Sequence, residues 1–389
     1  MERIVCDILV IGAGPAGSTA ARVAAQAGAR VLLVERKARV GVPEQCAGYV
    51  AQAIRWHVDL PPWCVAQAVG RLRTHLPDGS AHEVEMPGYL LDRAALDRHL
   101  ALQAVRAGAR LLTRTYARST RGLKDGRKAG VGEAHEPPLQ ARSMFRPGFQ
   151  EPGQLQRQEP ELVLQREGTE TAVDAGVIIG ADGPHSTVAR LVGLVPGPMA
   201  RAVQYEMVLP HELDTAEVFF RPAFRGGYAW LFPAGRTARI GAAFDAGCED
   251  GIAALRRLKD ELVEEGKILD SAISYAGGPV PVGGPRSVRH GNVLLVGDAA
   301  GHTHPLTGAG IVNAIIAGEM AGRAAARAVL DGDETALEEY GEEFQTVLAP
   351  ALERAKEKRT RLEEAWILPP AGLSSAIRGN WIAFDEYYR

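Results

Sequence analysis

Three short runs of glycine and acidic residues, far apart in a chain of 389 residues, share one chemistry: each can set backbone N–H groups or a carboxylate against a phosphate or a polyol. The first is G-x-G-x-x-G at Gly12, Gly14 and Gly17, with Pro15 and Ala16 inside it. Glycines there let the backbone turn tightly and approach a pyrophosphate, whose charge is met by the free N–H groups of a helix start. Glu35 stands 18 residues after Gly17 and is followed by Arg36. A carboxylate at that spacing can accept hydrogen bonds from both ribose hydroxyls of an adenosine. This run alone fits NAD as well as FAD. The second run, I-I-G-A-D-G-P-H-S-T-V-A-R at 178–190, centres on Asp182 and Gly183. The third, at 293–310, ends a strand at Gly297 and Asp298 and leads through Pro305, Gly308 and Gly310 into a helix that opens near Ile311. That second helix N-terminus can stabilise negative charge on a reduced isoalloxazine, and Asp298 would hold the ribityl hydroxyls. A nicotinamide dinucleotide needs no second turn of this kind, whereas the longer FAD does. The expected cofactor is non-covalent FAD.

Such residues must be held by a strand, turn, helix, strand unit. Residues 5–11 (V-C-D-I-L-V-I) read as a short buried strand, a helix opens at Pro15 and closes near Gly28, and a second strand at 31–34 delivers Glu35. From 67 to 91 the pattern becomes antiparallel, with a turn at Pro77, Asp78 and Gly79, before a helix over 92–107 that ends at Gly108. Strands are expected at 161–166, at 173–180 and repeatedly over 201–245. Leu337, Tyr340, Phe344, Leu348 and Leu352 lie at helical spacing, with Pro350 expected to break or kink that helix. The fold class is α/β: a Rossmann-like FAD-binding domain (1–66, 92–195 and 276–330) interrupted by an antiparallel β-sheet substrate domain (67–91 and 196–275), with C-terminal helices over 331–389. Residues 118–160 are rich in Gly, Pro, Arg and Gln and read as a mobile insertion. Contact with an anionic surface and a merely solvated hairpin are both open for it.

Together the glycine run, the Asp182-Gly183 pair and the Gly297-Asp298 pair resemble the p-hydroxybenzoate hydroxylase class of flavoproteins over nearly the whole chain outside the insertion. Arg93, in Y-L-L-D-R-A-A-L-D, falls where that class carries an Arg or Gln on the flavin side of the cofactor. A salt bridge at the helix start is the alternative role. The Y-A-W-L-F-P segment, with Tyr228, Trp230, Phe232 and Pro233, is similar to the Y-x-W-x-F-P pattern of the geranylgeranyl reductase family. Cys46, in P-E-Q-C-A-G with Ala47 after it, matches that family's cysteine facing the flavin. On a strand Tyr228, Trp230 and Phe232 share one face, giving either an aromatic wall for a long apolar chain or an ordinary sheet core.

The resemblance implies reduction of isoprenoid C=C bonds, with Cys46 as proton donor or local gate, or else a buried structural thiol. Halogenation is disfavoured, because Tyr228 and Phe232 replace the Trp and Ile of the halogenase W-x-W-x-I-P segment and no suitable Lys stands out. Hydroxylation by the same fold, or lipid binding and electron carriage without turnover, are the alternatives. His302 and His304 flank the third run; without a third ligand in view they are read as tuning or capping the turn, His304 beside the substrate, rather than as a metal site.

A formal charge of -3 argues against nucleic acid as partner. Cys6, Cys46, Cys64 and Cys248 form no C-x-x-C pair, so a reduced cytoplasmic protein is expected, peripheral to the membrane if it meets one. The electron donor is expected to be NADPH or NADH, with ferredoxin or a quinol as alternatives. The segment from Trp366 onward, rich in Trp, Ile, Leu and Tyr, is open to two roles: an interfacial membrane contact or closure of the substrate pocket from within.

Overall fold

The computed structural model describes residues 2–119 and 162–389. The chain begins with β1 (Glu2–Ile11), the glycine turn, α1 (Pro15–Gln26) and β2 (Val31–Val34). Ile8, Leu9, Val10 and all of β2 are buried, as parallel strands covered on both faces require. Then come β3 (Tyr49–Ala51), β4 (Val65–His75) and β5 (Ala81–Leu91). The β4–β5 turn is closed by Ser80 N donating to Asp78 Oδ1 at 2.9 Å. α2 (Arg93–Arg106) is capped by Asp92, which accepts from Ala95 N. β6 (Arg110–Leu112), β7 (Thr115–Ser119), β8 (Leu162–Arg166) and β9 (Thr169–Gly180) follow. Residues 118 and 119, expected to open the insertion, are therefore part of a strand, and the rest of that insertion lies outside the described residues.

After α3 (Thr187–Leu191), the strands β10 (Met199–Val208), β11 (Thr215–Phe219), β12 (Tyr228–Ala234) and β13 (Thr237–Asp245) fall where the alternation places them. α4 (Gly251–Glu264) is an element the strand reading passed over, although Ala254, Leu255, Leu258 and Leu262 stand at helical spacing and are all buried. β14 (Ala272–Pro281), β15 (Arg289–His290) and β16 (Val293–Leu295) lead to α5 (Ile311–Leu330). The chain finishes with α6 (Ala336–Val347), α7 (Ala349–Ala365) and α8 (Pro370–Asn380). The expected break at Pro350 is real, and the proline sits in the first turn of α7, where its missing N–H costs nothing.

One sheet runs β15-β16-β9-β1-β2-β6, with β1, β2, β6, β9 and β16 parallel and the antiparallel pair β7–β8 joined to it through β9. The other runs β14-β10-β13-β12-β11-β4-β5-β3 and is antiparallel except between β11 and β4. The boundary expected between 275 and 276 falls inside β14, which pairs with β10 in the second sheet, and β3, expected in the first unit, pairs with β5 there. One face of the second sheet carries Ala229, Leu231, Ile240, Ala242 and Phe244 under α4. The other carries Trp230 and Phe232 under α7 and α8.

α1 and α5 pack closely against each other beside the first sheet because two glycines of α5 have no side chain. A Cβ on Gly318 would stand 2.4 Å from Ala16 O, and one on Gly322 2.7 Å from Ala20 O. This contact sets the opening of α1 against the second turn of α5 and so fixes how far apart the two helix starts lie.

Candidate functional site

Gly12 has φ +104°, and a Cβ there would meet Ala181 O at 2.3 Å, so the glycine turn abuts the residue before Asp182. A Cβ on Gly17 would meet Gly12 O at 1.9 Å. Gly14 differs from both, since a Cβ there would meet nothing within 4 Å: the space above the helix start is open. Its position as the N-cap, with no side chain capping the helix, leaves the N–H groups of Ala16 and Gly17 facing that space, Pro15 having none to offer. Glu35 is buried at the same place. Its Oε2 accepts from Ala13 N at 2.9 Å and its Oε1 from Lys37 N at 2.8 Å, with lone pairs left on both oxygens. Arg36 beside it is exposed.

Asp182 spends its carboxylate locally: Oδ1 accepts from Ser186 Oγ at 2.5 Å and Oδ2 from Thr187 N at 2.6 Å, opening α3. What the Asp182-Gly183 pair turns toward Gly12 is backbone. Gly297 has φ +63°, and its Cβ position lies 3.1 Å from Ala16 Cβ, so the third run packs directly on the first helix. Asp298 Oδ1 accepts from Thr303 Oγ1 at 2.5 Å. Burial pushes the Asp298 carboxyl up, against the Thr303 hydroxyl and the Arg93 charge. Gly310 is the N-cap of α5, again without a capping side chain, and Ile311 is buried behind it. Pro305 is buried and Gly308 exposed in the intervening turn.

Arg93 joins the two halves of the site. It pairs with Asp97 at 2.8 Å, the helix-start bridge that the sequence left open, and its charge also reaches Cys46. Burial works against its charge, but Asp97 and Cys46 together hold the guanidinium above its ordinary value. Its Nε is buried without a partner among the described residues. The loop that carries Cys46 is tied to the second sheet: Gln204 Nε2 donates to Cys46 O at 3.1 Å, and Arg239 Nη1 donates to Ala47 O at 3.1 Å and to Leu91 O at 2.8 Å. Arg239 Nη2 also pairs with Glu44. Gly48, at φ +82°, is required because a Cβ would stand 2.1 Å from Arg239 Nη1.

Tyr228, Trp230 and Phe232 form a continuous row, with ring centroids 6.1 Å apart at each step and Tyr49 5.4 Å beyond Phe232. Tyr228 Oη donates to Thr307 O at 2.6 Å, joining this row to the third run. Pro233 continues β12 opposite Ala238. Trp381 of the C-terminal segment packs edge-on against Tyr228 and Phe220, each at 5.0 Å. Trp366, Phe384 and Tyr387 are buried on the same face, whereas Ile367 is 88% exposed. Between Phe220, Tyr228, Leu306, Leu362 and Trp366 runs a crevice with room for about one water. Arg359 of α7 fastens this cover, donating to Gly226 O at 2.7 Å and pairing with Asp245 at 2.9 Å.

The two histidines diverge. His302 Nδ1 accepts from Gly297 N at 3.1 Å and the ring stacks on Phe344; burial pushes it down to about 3. His304 Nδ1 accepts from Thr307 N at 3.2 Å, and its Nε2 lies 3.3 Å from Tyr387 Oη; burial pushes it down to about 4. Gln204, Arg239 and Arg359 were not singled out by sequence reasoning. The available signal for Arg239 is a lone charge inside the apolar alternation T-A-R-I-G-A-A-F.

The family model for FAD dependent oxidoreductases matches residues 7–48. The chain is 35% identical to digeranylgeranylglycerophospholipid reductase 1 of Methanopyrus kandleri, over 92% of this chain and 91% of that one. It is 34% identical to digeranylgeranylglycerophospholipid reductase of Methanothrix thermoacetophila, over 84% and 79%. In fold it is similar to a geranylgeranyl bacteriochlorophyll reductase-like protein of Thermoplasma acidophilum, with TM-score 0.75, 24% identity and 97% of each chain covered. It is also similar to p-nitrophenol 4-monooxygenase of Pseudomonas putida, with TM-score 0.68, 17% identity, and 100% and 96% covered. At those identities the two structures speak for the fold alone.

Proposed function

This chain belongs to the digeranylgeranylglycerophospholipid reductases, FAD-dependent oxidoreductases that saturate C=C bonds of geranylgeranyl chains, and from that premise we propose which residues do the work and on which lipid. The substrate is a glycerophospholipid bearing geranylgeranyl chains. Gly12, Gly14, Pro15, Ala16 and Gly17 receive the pyrophosphate of FAD, Glu35 and Arg36 the adenosine end, and Asp182 and Gly183 shape the loop above it. Gly297, Asp298 and the turn from Pro305 through Gly308 and Gly310 to Ile311 receive the ribityl and flavin end, with Arg93, Cys46 and Ala47 beside it. The fit rests on two observations: the open space over Gly14 and the buried Nε of Arg93, unpartnered among the described residues. When bound and reduced, FAD supplies the hydride for one carbon of the double bond.

The chain's own residues supply the rest. Tyr228, Trp230, Phe232 and Pro233 form the apolar wall for the isoprenoid chain, which enters by displacing the C-terminal cover, since the crevice beside them holds about one water. Cys46 Sγ gives its proton to the other carbon, so that an S–H bond is replaced by a C–H bond, and the thiolate is reprotonated from solvent. Arg93 steadies the thiolate while it exists. His304, held neutral by burial, closes the substrate side through Tyr387. The electron donor is NADPH or NADH, acting without a glycine fingerprint of its own, and the lipid is met at a membrane surface beside the exposed Ile367 and Leu368. The observation that carries this reading is the buried Arg93 guanidinium, paired with Asp97 and with its Nε unpartnered among the described residues, its charge reaching both Cys46 and Asp298.

The test is anaerobic: reduce the purified flavoprotein, add isoprenoid lipids in turn, and follow the flavin spectrum and product mass. Re-oxidation with a mass gain of two hydrogens per bond is expected for the glycerophospholipid. Cys46→Ser is expected to keep FAD and lose about tenfold or more in the reductive step, the scale of a positioned proton donor. Unchanged turnover with chemistry rate-limiting would reduce Cys46 to packing.

A further inference from the structure

Two side chains on the covered face of the second sheet hold hydrogen-bonding atoms that nothing satisfies. Gln204 is 8% exposed and its Oε1 has no partner among the described residues; Trp230 is 5% exposed and its Nε1–H has none either. They stand in one row. Gln204 of β10 is paired with Gly241 of β13, and Gly241 with Trp230 of β12. The indole lies across the glycine between them, since a Cβ on Gly241 would stand 2.3 Å from Trp230 Cζ2 and 2.6 Å from Cε2. Any larger residue at 241 would push the tryptophan off the sheet. The orientation of the Gln204 amide follows from its other contact: Cys46 O can only accept, so Nε2 faces it and Oε1 is the atom left over.

A buried amide in an aromatic row is costly to keep unless both ends are used. One end carries the backbone of Cys46. Resting on the assignment of Cys46 to proton transfer, we propose that Gln204 is a positioning residue for the Cys46 thiol. Its Nε2 fixes the 43–48 loop against the substrate sheet, and its Oε1 stays free on the same face as the Trp230 N–H. Arg239 anchors the same loop one residue further on, at Ala47 O, so Gln204 sets the orientation of Cys46 without being alone in holding the loop.

The experiment compares Gln204→Leu and Gln204→Asn with the parent holoenzyme. Leucine removes both hydrogen-bonding ends, and asparagine keeps the amide one methylene too short to reach. Cys46 alkylation by iodoacetamide is followed by peptide mass mapping, alongside FAD absorbance and steady-state kinetics on the glycerophospholipid. In both variants alkylation is expected to rise about fivefold or more and kcat to fall about tenfold, with KM within about twofold and FAD retained. Unchanged alkylation, unchanged kcat, a rise confined to KM, or loss of FAD from both variants each overturns the proposal. Cys46→Ser run in parallel separates the two readings. Parental turnover there removes both, because a thiol without chemistry needs no positioning, whereas a slow Cys46→Ser with a fully active Gln204→Leu removes only this one.

Discussion

His302 shows how a single residue couples the site to solution conditions. A histidine of ordinary value near 6.5 that burial holds down to about 3 stays neutral in the folded protein while its unfolded counterpart gains a proton. Between those values the unfolded state binds more protons, so stability rises with pH; it is complete above about 6.5 and is lost on acidification toward 3. At pH 5 the loss from this residue is about 2 kcal/mol, and His304, pushed down to about 4, adds in the same direction. Thermal unfolding followed from pH 7.5 to 5 is expected to show a falling midpoint with a shallower slope for His302→Gln. An equal slope in the variant would move the pH dependence to other groups. The metal reading of the H-x-H pair has no geometric support at this point, because the two rings serve different partners: Gly297 N and Phe344 for one, Thr307 and Tyr387 for the other.

Among the elements, the α1–α5 contact sets the distance between the two helix openings proposed to receive opposite ends of one cofactor. With 2.4 Å from the Gly318 Cβ position to Ala16 O, no side chain fits without separating the helices. Gly318→Val is expected to cost about 1–3 kcal/mol by overpacking and to lower FAD occupancy. Its counterpart Gly341→Ala, on α6 where a Cβ meets nothing within 4 Å, is expected to leave both intact. Parallel denaturation and flavin-to-protein absorbance ratios check the pair. If Gly318→Val binds FAD normally, the spacing of the helix openings does not govern binding.

For the molecule as a whole, the C-terminal segment is the cover of the aromatic row. Leu373, Ile377, Trp381, Phe384 and Tyr387 are buried there, each worth about 1.5–3 kcal/mol, a sum of the order of a domain's entire stability. Truncation before Trp366 is therefore expected to abolish soluble folded protein rather than merely release it from membranes. Surface contact is tested instead by Ile367→Ser with Leu368→Ser in the full chain, which is expected to keep FAD and fold while losing vesicle flotation. Flotation unchanged in that double variant would place the membrane contact elsewhere. Among the described residues no helix is long and apolar enough to cross a membrane.

The sequence by itself determined whatever depends on local pattern. The strand, turn, helix unit around Gly12, the carboxylate ending β2, the helix starts at the first and third runs and the face shared by Tyr228, Trp230 and Phe232 all follow from period and glycine placement, which act within a few residues. The helix at Gly251–Glu264 was equally legible in its spacing. What only the tertiary structure decided is which distant side chains meet. That Gln204 and Arg239 of the second sheet carry the Cys46 loop, that Arg93 serves Asp97 and Cys46 together, and that Trp381 covers Tyr228 depend on sheet order and register. Neither is encoded in any local window, because a strand's own pattern sets which face it buries while its partner is a segment far away in sequence.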